Sequence, residues 1–97
     1  MAKIVCVGMA CLDYLFRVST LPGGGGKFFA EDYRAAPGGP AAAAGIAVAA
    51  LGHEARFIGR LGDDQVGRDL VGHLRKRGVD VSAVRLIDGH TSQVSSV

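Results

Sequence analysis

The sequence contains few cysteines, and they follow no pattern associated with metal ions or a disulfide framework. Its 97 residues include two cysteines, Cys6 and Cys11, and three histidines that are scattered along the chain. Four residues separate the two cysteines, and neither a CxxC pair nor a mixed Cys/His spacing is present. Free thiols are therefore expected, with a metal site or a disulfide as the alternative.

The sequence also has little net charge and no long apolar run. The formal net charge is only +2, from 11 basic and 9 acidic residues, which does not predict a nucleic-acid partner. The one basic cluster, 75–77, falls in the last turn of a predicted helix, where it complements the helix dipole; a phosphate-binding patch is the alternative. No polar-free run reaches the length of a membrane span, and the N-terminus lacks the features of a signal peptide. These absences predict a cytoplasmic protein that binds neither membrane nor nucleic acid.

A dinucleotide-binding fingerprint is missing as well. Residues 3–9 (KIVCVGM) are nearly continuously apolar and β-branched, which predicts a strand covered on both faces in a parallel sheet. After Gly8, Ala10 and Asp13 stand where GxGxxG would require glycines, and this disfavours an NAD site. Ligands in open α/β sheets nevertheless bind beyond the carboxyl ends of such strands. Asp13 is the first carboxylate there, and a turn-capping carboxylate is the alternative interpretation.

The most distinctive stretch that is present is PGGPAAAAGIAVAALG, from Pro37 to Gly52. The pair Gly38-Gly39 precedes Pro40, a residue favoured at the first position of a helix. The next residues up to Leu51 carry no polar side chain, which predicts a helix that is buried on all sides. Such a glycine turn would place backbone N–H groups at the start of a buried helix, an arrangement suited to holding a small polar ligand.

The segments on either side predict an α/β fold with a small additional sheet. Two short strands, 15–18 and 27–33, flank four consecutive glycines; they form either a flap that covers a ligand or an ordinary surface hairpin. An amphipathic helix is predicted from Asp63 or Asp64 to Arg77. Further strands are predicted at 55–59, within 79–87 and from 91 to 97. Two helices and about three core strands indicate the N-terminal portion of a larger α/β domain.

Several of these elements together resemble the N-terminal signature of the ribokinase-like carbohydrate kinases, the PfkB family. The resemblance rests on Gly38-Gly39, the Ala-rich helix, Leu51-Gly52, the run GRLGDDQVG at 59–67, and Val7-Gly8 followed by Asp13. It covers essentially the whole chain and implies a ribokinase-like, Rossmann-like fold, with a parallel-sheet core, helices on both faces and a small β-sheet lid. Residues 1–97 would form the N-terminal part of one kinase domain. The core would comprise strand 3–9 and residues 38–87, and the lid the segments at about 13–36 and 90–97.

The resemblance implies transfer of the γ-phosphoryl group of ATP, with Mg²⁺, to a hydroxyl of a ketose-like sugar. The implied substrate contacts are Asp13, the backbone of Gly38 and Gly39, and position 43. The family usually carries Asn at position 43, whereas Ala43 cannot form a side-chain hydrogen bond. The catalytic aspartate, the ATP site and the Mg²⁺ site would lie outside these residues, so the polypeptide alone is expected to be inactive. The lid commonly pairs with a second subunit, which implies a possible homodimer.

Within the family, the motifs are most similar to sulfofructose kinases, which act on fructose bearing a sulfonate at carbon 6. The similarity rests on Cys6-Val7-Gly8, Leu21-Pro22, Gly26-Lys27, Gly38-Gly39-Pro40 and Phe57–Arg60. It implies that Lys27 lies near the sulfonate, and a solvated lysine is the alternative. A nucleoside kinase of the same family and a non-catalytic sugar-binding module remain open as alternative functions.

Overall fold

A computed structural model describes all 97 residues and contains two helices and three small sheets. The elements in chain order are β1 (Lys3–Val7), β2 (Cys11–Arg17), β3 (Asp32–Gly38), α1 (Pro40–Ala50), β4 (Glu54–Ile58), β5 (Arg60–Gly62), α2 (Gln65–Lys76), β6 (Val79–Asp80), β7 (Arg85–Ile87) and β8 (Val94–Ser96). The first sheet has the order β1-β4-β6 and is parallel throughout. In the second, β2 pairs antiparallel with β3 and parallel with β8, while β5 and β7 form a parallel pair. Neither helix has the length and apolar character needed to cross a bilayer.

Helix α2 forms as its sequence pattern predicts. Asp64 is the N-cap, and its side chain accepts a hydrogen bond of 2.8 Å from the backbone N–H of Gly67. Leu70 and Leu74 lie one turn apart on the same face and are completely buried. The helix ends before Gly78, whose φ of +83° is accessible to glycine at little cost.

The hydrophobic core forms around Phe57 of β4, where α2 packs next to the parallel sheet. Side chains alternate along a strand, so Ala55 and Phe57 point into the core while their neighbours point away. Phe57 has no exposed surface and shares the core with Leu12 of β2 and Leu70 of α2. This core therefore joins the parallel sheet to the sheet that contains β2.

Strand β1 and helix α1 are less buried than the sequence predicted. Val7 of β1 is 71% exposed, and in α1 only Ala41, Ala42 and Gly45 are buried. The physical reason is that β1 is the edge strand of its sheet and that α1 lies against β1 and β4 along one side only. The prediction of cover on all sides is wrong for this chain.

Several strand positions also differ from the sequence prediction. β2 begins at Cys11, so Asp13 lies within a strand and not in a loop after β1. β3 begins at Asp32, and Lys27 lies in the irregular, exposed connection between β2 and β3. The predicted third strand is divided, since β6 joins the parallel sheet while β7 pairs with β5. Residue type indicates where a strand can form, but a partner strand in register decides where it does form.

The chain is more extended than a compact domain of its length. Its radius of gyration is 15.2 Å, compared with roughly 12 to 13 Å expected for a compact chain of this size. The extents are 48, 34 and 18 Å, so the molecule is thin in one direction. Apolar surface on β1 and α1 is left uncovered as a result.

Candidate functional site

The glycine pair Gly38-Gly39 lies directly against the segment that connects β1 to β2. A Cβ atom at Gly39 would lie 2.7 Å from the carbonyl oxygen of Met9 and 3.0 Å from the Cα of Ala10. Gly39 also has a φ of +91°, which disfavours any other residue. A Cβ atom at Gly38 would lie 2.8 Å from Cγ of Asp13. Both glycines therefore permit a close approach that brings the start of α1 next to the Asp13 carboxylate.

Asp13 is held in place by Ser95 of β8. The Ser95 hydroxyl donates a hydrogen bond of 2.6 Å to Oδ1 of Asp13, and the two residues are opposite each other in the parallel β2–β8 register. Both side chains are half-buried. A hydrogen bond to a carboxylate is stronger than one between neutral groups, so Ser95 fixes the orientation of the carboxylate. No sequence pattern indicated Ser95, because only the pairing of β2 with β8 brings the two residues together.

Cys11 lies two residues before Asp13 on the same face of β2 and is buried. Burial raises the pKa of the Cys11 thiol, and the neighbouring Asp13 carboxylate raises it further. The thiol is therefore held in its neutral form beside the carboxylate. Both Cys6 and Cys11 are free, as the sequence predicted.

Ala43 and Lys27 occupy different surroundings. Ala43 is exposed in the first turn of α1, and its backbone N–H donates to the carbonyl oxygen of Gly39 at 2.9 Å. Lys27 is exposed between β2 and β3 and forms no ion pair. The structure thus brings Asp13 together with Gly38 and Gly39 at the start of the helix that carries Ala43. Lys27 is not part of this group, because it lies in the connection between β2 and β3.

Besides the predicted cap of α2, the run at 59–67 forms a hydrogen-bond cluster with Ser92 that no sequence pattern indicated. Asp64 accepts hydrogen bonds from the Ser92 hydroxyl at 2.7 Å and from the Ser92 backbone N–H at 2.8 Å, in addition to the one from Gly67. The Gly62 backbone N–H donates to the same Ser92 hydroxyl at 2.9 Å. The bonds from Ser92 and then the one from Gly67 lower the pKa of Asp64. This cluster fastens the segment before β8 to the start of α2 and so sets the position of Ser95.

A separate groove lies at the carboxyl ends of β1 and β4. Its volume is about 840 Å³, and its walls come from residues 7–10, β5, β7 and residues 90–93. Arg60 and Arg85 line it, and none of the residues predicted from sequence as substrate contacts does. It lies where the sequence predicted a ligand, beyond the carboxyl end of the first strand, but Arg60 and Arg85 were not predicted as its charged residues.

The Gly38-Gly39 turn does not fit a nucleotide polyphosphate. The Met9 carbonyl oxygen and the Asp13 carboxylate lie against the two glycines, and both groups accept hydrogen bonds. A polyphosphate would meet like charge and acceptor oxygens there, whereas a hydroxyl group can donate to either acceptor. The arrangement is suited to a neutral polyol.

Comparisons with known proteins identify the family and the fold. The family model described as "pfkB family carbohydrate kinase" matches residues 1–96. The probable fructokinase-3 of Arabidopsis thaliana is 38% identical over 96 residues, which are 97% of this chain and 26% of that protein. The crystal structure of aminoimidazole riboside kinase from Salmonella enterica, complexed with aminoimidazole riboside and an ATP analogue, superposes with a TM-score of 0.77. The two sequences are 36% identical, and the matched region is 96% of this chain and 28% of the riboside kinase chain.

A third comparison concerns a fructokinase from Vibrio cholerae O395 in its fructose-, ADP- and calcium-bound form. That structure superposes with a TM-score of 0.78 at 27% sequence identity. The matched region is the whole of this chain and 28% of the fructokinase chain. The described chain therefore spans between a quarter and a third of the length of these three relatives. Its fold is that of the corresponding part of the ribokinase-fold kinases.

Proposed function

The chain belongs to the pfkB family of carbohydrate kinases, and on that premise we propose that it supplies the sugar-binding part of an ATP-dependent kinase. The enzyme would transfer the γ-phosphoryl group of ATP to a hydroxyl of a fructose-type ketose. The observation that carries this proposal is the Asp13 carboxylate, oriented by Ser95 and packed against Gly38. A fixed carboxylate beside backbone groups can accept hydrogen bonds from neighbouring sugar hydroxyls.

In this proposal, residues outside the described chain bind the nucleotide and Mg²⁺ and supply the catalytic base. When bound, Mg²⁺ would neutralise the charge that develops on the phosphoryl group. The present residues would orient the acceptor sugar and exclude water from it. The exposed apolar faces of β1 and α1 are the surfaces that a longer chain would cover. The isolated 97-residue polypeptide is expected to phosphorylate no sugar, and a coupled ATPase assay that detects turnover would contradict this.

The finer proposal concerns the acceptor, for which we favour fructose or 6-deoxy-6-sulfofructose. Lys27 is exposed and free of ion pairs, so its ammonium group is available to an anionic substituent. A Lys27→Gln variant of the full-length enzyme should lose kcat/KM for sulfofructose about tenfold while keeping kcat/KM for fructose. An equal loss on both sugars, or on neither, would rule out a contact between Lys27 and the sulfonate.

A riboside acceptor is the second candidate, because aminoimidazole riboside kinase aligns over nearly the whole chain. Adenosine and aminoimidazole riboside belong in the same assay as fructose, ribose and sulfofructose. The proposal predicts the highest kcat/KM for a ketose. Preferential turnover of a riboside would support the second candidate. Sugar binding without turnover by the full-length protein would instead indicate a non-catalytic sugar-binding module.

We further propose a homodimer formed through the sheet β3-β2-β8. Phe16 and Tyr33 are opposite each other on β2 and β3, with ring centroids 5.9 Å apart, and they are 45% and 63% exposed. Because side chains alternate along β2, Phe16 points to the opposite face from Asp13. The aromatic pair can therefore contact a second subunit without blocking the sugar side of the sheet. Sedimentation of the full-length protein measures this association.

A further inference from the structure

The charged residues that line the groove at the carboxyl ends of β1 and β4 are all basic. Its charged residues are Arg60 and Arg85, His90 adds a further nitrogen donor, and no carboxylate lines it. The chain as a whole is nearly neutral, with 11 basic and 9 acidic residues. The charged residues of the lining are therefore more basic than the average surface, and the nearest carboxylate, Asp64, is engaged by Ser92 at the edge of the groove.

The two arginines are brought together by strand pairing. Arg60 of β5 is the register partner of Arg85 on the neighbouring parallel strand β7. Like charges directly opposite each other on a sheet are destabilising, and such local conflicts tend to occur at functional positions. Neither arginine forms an ion pair, whereas the Arg56 guanidinium lies 3.0 Å from the Asp80 carboxylate.

The pattern of lining residues shows which face of this pair is turned toward the groove. Arg85 and Ile87 line the groove, while Leu86 between them does not. Side chains on a strand alternate between faces, so the face that carries Arg85 also carries its partner Arg60. Both arginines therefore start from the face of the strand pair that lines the groove, and Leu61 of β5 also contributes to the lining.

We propose that this groove is a binding site for a tetrahedral oxyanion of the phosphate or sulfonate type. Two arginines at paired strand positions can present planar arrays of donors that match such an anion, and arginine remains charged throughout the physiological range. Thr91 and Gln93 add polar residues to the lining. The site also lies beyond the carboxyl ends of parallel strands, where ligands bind in α/β folds.

The groove adjoins the Asp13 region but is distinct from it. Ala10 lines the groove, and the segment that contains it packs against Gly39 on the other side. Two sources could deliver the anion: a charged substituent on a sugar bound at Asp13, or a separate phosphorylated molecule. The proposal does not depend on kinase activity, since it concerns binding alone.

The test uses the full-length protein and titrates inorganic phosphate by calorimetry and by thermal shift, with sodium chloride at matched ionic strength as the reference. The expected result is saturable binding that weakens about tenfold in Arg60→Gln or in Arg85→Gln and is lost in the double variant. Arg75→Gln is the matched control, because Arg75 is exposed in the last turn of α2 and does not line the groove. It should bind phosphate as the wild type does.

Two outcomes would overturn the proposal. One is the absence of saturable phosphate binding by the wild-type protein beyond the chloride reference. The other is binding that the double variant retains while its Tm without phosphate remains unchanged. If the double variant fails to fold, the two single variants provide the same comparison.

A second titration, of phosphate in the presence of saturating fructose, distinguishes the two sources of the anion. If a separate molecule carries the anion, phosphate affinity is unchanged and both ligands bind together. If the anion is part of the substrate, a hexose phosphate binds at least tenfold more tightly than phosphate alone, and fructose competes with it. Both results support the oxyanion site, provided that the arginine variants abolish the binding.

Discussion

Asp13 and Ser95 are separated by 82 positions in the chain and joined by a hydrogen bond of 2.6 Å. Through this bond, β8 orients a carboxylate that belongs to β2. In the proposed kinase, Ser95 acts as a positioning residue, since it contacts Asp13 and not the reacting atoms. The unusual length of this separation explains why residue patterns in the sequence gave no indication of it.

Replacing Ser95 with alanine tests this role in the full-length enzyme. Without the hydroxyl, the Asp13 carboxylate can rotate, so we expect KM for the sugar to rise about tenfold while kcat changes less than threefold. Ser96→Ala is the matched control, because Ser96 is exposed on the same strand. Steady-state kinetics with a varied sugar concentration measure both parameters. A loss confined to Tm, with KM unchanged, would mean that Ser95 has only a structural role.

Asp80 gives a prediction about acid stability. Hydrogen bonds from Ser82, followed by the interaction with the Arg56 guanidinium, lower the pKa of Asp80 to about 2. Because the folded pKa lies below the unfolded value of about 3.9, the stabilisation is present above pH 4. It is lost as the pH falls toward 2.

The Asp80→Asn variant should therefore unfold at a Tm roughly 1–2 °C below wild type at pH 6, a small effect because the pair is partly exposed. The difference should shrink as the pH falls from 4 and vanish only below the folded pKa of about 2. Thermal unfolding at several pH values measures it, and Asp88→Asn serves as an exposed control. A difference that stays constant with pH would show that the Asp80 charge is not its source.

At the scale of single elements, replacing two different glycines with alanine should change the stability of the protein in opposite directions. Gly39, at the start of α1, has a φ of +91° and no space for a Cβ atom beside Met9. Gly39→Ala should therefore destabilise the protein by about 2 kcal/mol or more and displace α1 from Asp13. Gly72, inside α2, has open space at the Cβ position.

Gly72→Ala should therefore stabilise the protein by about 0.5–1 kcal/mol, because alanine loses less conformational freedom in a helix. Chemical denaturation of the full-length protein gives both values, and sugar binding should fall only for Gly39→Ala. Equal effects of the two substitutions would contradict the assigned close approach of Gly39 to Met9.

For the whole molecule, the exposed aromatic pair predicts association. Replacing both Phe16 and Tyr33 with serine should shift the full-length protein from dimer to monomer in analytical ultracentrifugation. Leu51→Ser removes an exposed apolar side chain that lies outside the sheet and should leave the dimer intact. A dimer that survives the double substitution would place the interface elsewhere.

The sequence by itself determined the parts of this protein that depend on local chemistry. Helix α2 was predictable because Asp64, the spacing of Leu70 and Leu74, and Gly78 supply a cap, a face and an end within 15 residues. The family was predictable because glycines recur at positions where the backbone must approach another segment closely. The cap, the helix face and the spacing of the glycines are visible in the sequence even though the segments that the glycines approach are not.

Tertiary structure alone decided which distant residues meet. The pairing of β2 with β8 joined Ser95 to Asp13, and the pairing of β5 with β7 placed Arg60 beside Arg85. The sequence predicted more burial of β1 and α1 than the structure shows. Apolar side chains indicate that a surface is suited to burial, but they do not identify the segment that would cover it. Strand register and the covering of a surface are set by contacts between segments, and no local pattern encodes their geometry.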